Sequence, residues 1–229
     1  MSSPVLLAIE CSQRRGGVAL QAPSGDVHVV EMEPGARRDD VLQPAIESLF
    51  KETGLGPRDL DGCGCSIGPG GFTGLRITIA TARAMAMALR IPLYGIPSAA
   101  VAALSTTTPP GRVLVVLASK GDSAWLTTME HPREGHWIGP GALLHSRDLG
   151  PRLEGVTSII ADEHLPGSFR EAAERASIDV IEPVFSARSC LQMTCERHAK
   201  DDHDDPAALL PLYPRPPEAV SLWEAREGS

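Results

Sequence analysis

Ser66-Ile67-Gly68-Pro69-Gly70-Gly71-Phe72-Thr73-Gly74-Leu75-Arg76-Ile77 is the stretch on which the fold reading turns. The residues leading into it, Gly62–Ile67, form a short apolar run that reads as a buried strand. The residues following it, roughly Thr73–Arg90, repeat apolar side chains at helical spacing until Pro92 ends them. The glycine-rich turn Gly68, Gly70, Gly71, Gly74 therefore joins a strand to a helix N-terminus, where backbone amides and the helix dipole favour an anion. No Lys precedes Thr73 to reach a phosphate, so this is not a Walker A loop. The third glycine also comes one residue late for a dinucleotide fingerprint. Two readings stay open, a structural turn that lets strand and helix pack closely and a phosphate cradle, and the structural turn is preferred.

Working outward, Val5–Ile9, Gly16–Leu20 and Val27–Glu33 are three strands at hairpin-like distances, with Pro23-Ser24-Gly25-Asp26 supplying turn chemistry. Asp39 and Asp40 offer N-cap chemistry for a helix reaching about Thr53, with Leu42, Ile46 and Leu49 as its apolar stripe. Pro44 is expected in or near its first turn, where a missing N–H costs little. Leu93–Ile96 (strand) and a helix from Ser98 follow. The first half thus reads β-β-β-α-β-α-β-α, an α/β unit with a mixed sheet.

Thr106–Gly111, made of small residues and prolines, is the best linker candidate. Beyond it, Arg112–Ala118 and Ser123–Met129 read as paired strands, and His131–Glu154 as an irregular, Gly/Pro-rich region. Ser158–Ala161 and Ile178–Ile181 are further strands, and Ser168–Ala176 and Ser186–Lys200 helices. The second half resembles a degraded copy of the first. Pro211–Pro217 cannot continue a helix and is expected to run extended.

Winding Thr73–Arg90 at about 100° per residue sorts its side chains into stripes. Leu75, Ile79, Ala82, Ala86 and Leu89 form one apolar line, and Ile77, Ala80, Ala84, Met87 and Ala88 a second on the opposite side. Arg76, Arg83 and Arg90 separate them on one flank, Thr78, Thr81 and Met85 on the other. A helix lying on a sheet needs only one apolar line. The second predicts packing against a neighbouring helix, the partner's, the chain's own, or both.

Composition narrows the function classes. Among 229 residues, 29 Asp and Glu outnumber 21 Lys and Arg, a formal net charge of −8. Holding nucleic acid draws on clustered Lys and Arg, so contact with RNA is expected only through a partner. The five cysteines at 11, 63, 65, 190 and 195 lack disulfide-framework spacing and predict a reduced, cytoplasmic compartment. Val5–Ile9 is too short for the apolar core of a signal peptide, and no stretch is long enough to span a membrane.

Catalytic motifs are scarce. No two His residues stand at the i, i+4 spacing of a zinc protease, and no specific metal site is expected. Cys63 and Cys65 read as small buried hydrophobes, and Asp201–Asp205 as a solvated charge run. There is no G-x-S-x-G. Glu10 could stand at a cleft, but alone it reads as a surface-turn carboxylate.

Three segments resemble the bacterial TsaB family, also called YeaZ or glycoprotease-like. They are Leu6–Ser12 with Gly17–Leu20, then Ser66–Ile77, and the closing Pro211–Ala219. Resemblance is strong over residues 5–104 and the tail, and weak over 105–205. It implies the ASKHA (actin-like, RNase H-like) double-lobe α/β fold, each lobe a mixed sheet with helices. The lobes would be residues 1–105, carrying the partner-binding helices, and 111–205, with an extended Pro-rich tail over 206–229. It further implies a non-catalytic scaffold, without cofactor or metal, that activates the threonylcarbamoyl transferase making N6-threonylcarbamoyladenosine at adenosine 37 of tRNA.

In this family the first two helices form the heterodimer interface, which assigns Leu42, Ile46, Arg76, Ala80, Arg83, Ala84 and Met87 to partner binding. The resemblance leaves room for a homodimer of the isolated chain and for an ATPase subunit in the same complex. The family usually carries Asp where Glu10 stands, often a His where Arg37-Arg38 stand, and an acid where Leu117 stands. The catalytic relative's metal-binding His-x-x-x-His is absent. The alternative is an ATP-dependent phosphotransferase of the same superfamily using Glu10 and the glycine turn. Against it, Cys11 stands where such phosphate loops prefer glycine.

Overall fold

The computed structural model describes residues 2–33, 38–130 and 138–215. The side chains of Arg37 to Asp40, the residues His131 and His136, and the tail beyond Arg215 lie outside what is described.

β1 (Leu6–Glu10) is buried along its whole length, because it is the central strand of a five-stranded sheet. Two antiparallel neighbours follow in a meander, β2 (Gly16–Gln21) and β3 (Val27–Met32). On the other side β4 (Gly62–Gly68) and β5 (Leu93–Pro97) run parallel, giving the order β3-β2-β1-β4-β5. A strand covered on both faces carries a near-continuous apolar run, which is why Val5–Ile9 shows no polar alternation. Leu7 and Ile9 face one core, with α1 (Arg38–Thr53) and α2 (Phe72–Leu89) packed on them. Leu6 and Ala8 face a second core on the opposite side.

The second sheet repeats the plan. β6 (Arg112–Lys120), β7 (Ser123–Glu130) and β8 (Ile138–His145) form an antiparallel meander, and β9 (Val156–Ala161) and β10 (Asp179–Ile181) continue in parallel from β6. Its order β10-β9-β6-β7-β8 matches the first sheet when β6 is aligned with β1. Two mixed sheets of the same topology, each clad by helices, make the ASKHA-type double α/β fold that the family resemblance implies.

Two helices join the sheets, one by lying between them, with its Val101 in the first sheet's core, and the other by crossing to the other lobe. α3 (Ser98–Ser105) follows the first sheet, yet its Ala99, Ala100, Ala102 and Ala103 pack with Val113, Val115 and Ile160 of the second. α5 (Ala187–Ala199) follows the second sheet, yet its Ala187, Cys190 and Leu191 pack with Leu6, Ala8, Ala19 and Tyr94 of the first. α4 (Gly167–Arg175) stays with its own sheet through Phe169 and Ala173.

Three local expectations are corrected. α1 begins at Arg38, ahead of both expected caps, Asp39 and Asp40, so Pro44 lies inside the helix as its seventh residue. The region 131–154 is not irregular throughout, since β8 forms there as an edge strand, and Pro140 falls where its pairing with β7 shifts register, a place where proline is tolerated. Asp204 is not part of a solvated run: it accepts from the Gly95 amide at 2.7 Å and from Arg197 at 2.8 Å.

Candidate functional site: the glycine turn and the surface of the first two helices

The glycine turn is packed against the turn that follows β1. The Gly71 amide donates to the Ser12 carbonyl at 2.7 Å. A Cβ on Gly70 would come within 2.1 Å of that oxygen, and one on Gly74 within 2.4 Å of the Cys11 carbonyl. Gly68 is at φ +111°, a conformation open to glycine, and the Leu212 carbonyl lies against it. These glycines are required by close backbone approach. The partly negative oxygens of Cys11 and Ser12 occupy the head of α2, the position where an anion would otherwise be favoured.

Glu10 departs from the surface reading: it is 0% exposed, because β1 is central and Glu10 is its last residue. Its carboxylate accepts from the Ser12 amide at 2.7 Å and from the Ser12 hydroxyl at 2.6 Å, while Ser66 bonds the Cys11 amide at 3.3 Å. Glu10 thus shapes the turn that fills the glycine cradle.

The thiols nearby are not poised as nucleophiles. Burial pushes the Cys63 thiol up to about 12 and those of Cys65 and Cys190 well above the ordinary range, so all three stay protonated. Among the described residues no three His, Cys, Asp or Glu side chains converge as metal ligands. Among the same residues no helix is long and apolar enough to cross a membrane.

α2 has three distinct surfaces. Leu75, Thr78, Ile79, Ala82 and Ala86 are buried against the sheet, so the first apolar line is core up to Ala86, joined by Thr78, while its last member Leu89 is only half-buried. Arg90 then ends the helix in the left-handed conformation, with its amide capping the Ala86 carbonyl. Of the second line, Ala80, Ala84, Met87 and Ala88 are exposed, Met87 by 60%, whereas Ile77 is half-buried against the chain's own first core. Between α2 and α1 lies a groove of about 550 Å³, lined by Leu42, Ile46 and Phe50 on one side and Ala84, Met85, Ala88 and Leu89 on the other. Gln43 and Glu47, bonded to each other at 2.9 Å, add a polar margin.

The seven residues expected at an interface are therefore not equivalent. Ala84 lines the groove, and Ala80 and Met87 stand exposed beside it. Leu42 and Ile46 belong to the chain's own core and reach the groove only as its floor. Arg76 and Arg83 are turned toward the chain's own C-terminal segment. Arg76 lies 3.7 Å over the Phe72 ring and donates to the Tyr213 hydroxyl at 3.3 Å, and Arg83 donates to the Ala207 carbonyl at 3.1 Å. Phe50, Met85 and Leu89 also line the groove, although the resemblance assigns none of them to the interface. Met85 falls on the threonine flank when α2 is wound alone, and only the position of α1 brings it to the surface concerned.

The family model described as TsaD: tRNA N6-adenosine threonylcarbamoyltransferase matches residues 37–132, the segment holding α1, the glycine turn and α2. An uncharacterized protein of Mycobacterium tuberculosis is 30% identical over 182 residues, covering 79% of this chain and 76% of that protein. The tRNA threonylcarbamoyladenosine biosynthesis protein TsaB of Bacillus subtilis is 31% identical over 109 residues, 47% of this chain and 44% of the relative. YeaZ from Pseudomonas aeruginosa superposes with a TM-score of 0.76 at 20% identity, over 91% of this chain and 100% of that one, which shows a shared fold. With the glycine turn, the paired lobes and these relatives in agreement, the chain belongs to the TsaB/YeaZ family.

Proposed function

We propose that the chain takes part in the biosynthesis of tRNA threonylcarbamoyladenosine as a scaffold that pairs with the threonylcarbamoyl transferase subunit. One observation carries the reading. The apolar groove between α1 and α2, with the exposed crest Ala80, Ala84 and Met87, offers small side chains that let another helix pair approach closely. A monomer has little reason to expose Met87 over a row of alanines, and apolar patches of this kind mark contact surfaces. The relatives that carry the pathway in their names support the biological setting.

A non-catalytic role is supported by the glycine turn, whose Gly71 amide is spent on Ser12 and whose open side is filled by backbone carbonyls. The net charge of −8 supports a reading in which tRNA is met through the partner. The test is to mix the purified chain with the purified transferase of the same organism and follow size by light scattering. A 1:1 complex is expected, with faster threonylcarbamoyl transfer than the transferase alone achieves. Two separate species with unchanged transfer would overturn the reading.

A further inference from the structure

The chain's closing segment does not end where the second sheet ends. From Asp204, whose amide donates to the Leu93 carbonyl at 2.8 Å, it returns to the first sheet. Leu209 is buried in the first core, close enough to Gly95 that a Cβ there would meet its Cδ1 at 2.8 Å. Leu212 then donates its amide to the Ile67 carbonyl at 2.7 Å, at the C-terminal end of β4. Tyr213 stacks on Phe72 with ring centroids 5.5 Å apart.

Two residues later the segment reaches the other lobe. Arg215 donates through Nη1 to the Ala118 carbonyl at 2.5 Å and through Nη2 to the Ser123 carbonyl and hydroxyl at 3.0 and 2.8 Å. These acceptors sit at the β6–β7 hairpin, the second sheet's counterpart of the β1–β2 hairpin, and Ala118 is held at φ +52°. An extended chain gains at most about 3.3–3.6 Å per residue, so the Cα atoms of Leu212 and Arg215 lie within roughly 10 Å of each other, and only the Arg215 side chain adds to that reach. α3 and α5 tie the sheets together, and this segment ties them a second time across the strand ends.

We propose that Leu212–Arg215 is a strap that ties the C-terminal end of β4 to the β6–β7 hairpin of the other lobe, its two anchors opening and closing as one unit. The contacts argue for coupling because the strap is short. Tyr213 and Leu212 fix where Arg215 can reach, and the Arg215 fork fixes the direction in which the backbone leaves Leu212. A planar guanidinium held by three oxygens is a directional anchor that a lysine does not reproduce.

Amide hydrogen exchange on the full chain tests this. Arg215→Ala should speed exchange of the Leu212 amide at least about tenfold, although Arg215 does not touch that bond. Tyr213→Ala should reciprocally speed exchange in the turn Gly121–Ser123, which Tyr213 does not touch, while Cys190 and Leu191 of α5 keep wild-type rates. A Leu212 rate unchanged by Arg215→Ala means the two anchors are independent, and the proposal fails. Should a variant melt as a whole, the wild-type chain in rising, sub-denaturing urea gives the same answer. Leu212 and the Gly121–Ser123 turn should converge on one opening that precedes the opening of α5. Separate openings, or one merged with global unfolding, would overturn the strap.

Discussion

The amide of Gly71 and the carbonyl of Ser12 are bonded at 2.7 Å, and this contact decides what the glycine turn is for. In a phosphate cradle such amides are kept for the ligand. Here one is spent on the chain itself, and Glu10 is buried in order to hold Ser12 in place through two bonds of its own. The same turn that could have read as a nucleotide site becomes the joint that locks β1, β4 and the head of α2 together.

Gly70→Ala tests that joint. A Cβ at Gly70 would meet the Ser12 oxygen at 2.1 Å, and a backbone carbonyl cannot swing aside as a flexible side chain can. Overpacking costs typically about 1–3 kcal/mol, and this contact should lie at or above the upper end. Gly71→Ala is the control, because its nearest neighbour, the same oxygen, would be 3.8 Å away. Thermal melts of the two variants should differ by several degrees. Equal melting temperatures would show that the turn relaxes freely.

A second close fit joins α5 to the first sheet. A Cβ on Gly64 of β4 would fall 1.9 Å from the Thr194 hydroxyl of α5, and Thr194 is fully buried. Gly64→Ala should destabilise the chain by about 2 kcal/mol or more. Thr194→Ala removes the two atoms that collide most, leaving only its own Cβ at 2.9 Å, so the double variant should recover part of the loss. A coupling of about 1 kcal/mol in a denaturant double-mutant cycle is expected, and strict additivity would mean that α5 shifts away instead.

What was legible in the sequence follows from the strength of local signals. β1, the glycine turn and α2 could be read directly, since a buried run, a glycine cluster and two apolar lines each have one physical cause. β8 was hidden because Gly139, Pro140 and Gly141 look like strand breakers. Gly141 is there because the Trp125 indole lies over it, where a Cβ would come within 2.0 Å of Nε1, and a cross-strand fit of that kind leaves no periodic trace. Helical winding separates the flank of Arg76 and Arg83 from the apolar lines. Their partners, Tyr213 and Ala207, lie 137 and 124 residues away, too far for any pattern along the helix to reveal. The burial of Glu10 was equally invisible, since it depends on β1 being central.

Asp122 makes a prediction in pH. It accepts hydroxyl bonds from Ser146 and Ser168, which tie the β6–β7 turn to the segment after β8 and to α4. These bonds, Ser146 first, hold its carboxyl below the usual range. A folded pKa below the unfolded one contributes stability above the unfolded value, near pH 4, and loses it as pH falls through the lowered value. The stability gap between the wild-type chain and Asp122→Asn should therefore be constant around neutrality and shrink below about pH 4. Urea unfolding at both pH values checks it, and a gap that widens in acid would contradict the assignment.

The most consequential prediction concerns Ala84. It is exposed on the folded chain and lines the groove between α1 and α2, whereas Ala82, two residues before it, is fully buried. Glutamate at position 84 can leave its charge in water, so Ala84→Glu should change stability by less than about 0.5 kcal/mol. Glutamate at position 82 would be forced into the core beside Ile79 and Ala86 and should prevent folding. When a partner helix covers the groove, the charge at 84 is buried without a counter-ion, at a cost of about 3–5 kcal/mol. At about 1.4 kcal/mol per tenfold, that weakens pairing with the transferase at least a hundredfold. Sizing and melting the same sample separates the outcomes. A folded Ala84→Glu chain that no longer pairs supports the groove as the interface. If it unfolds, the second apolar line is core after all, and if it folds and pairs normally, the partner docks elsewhere.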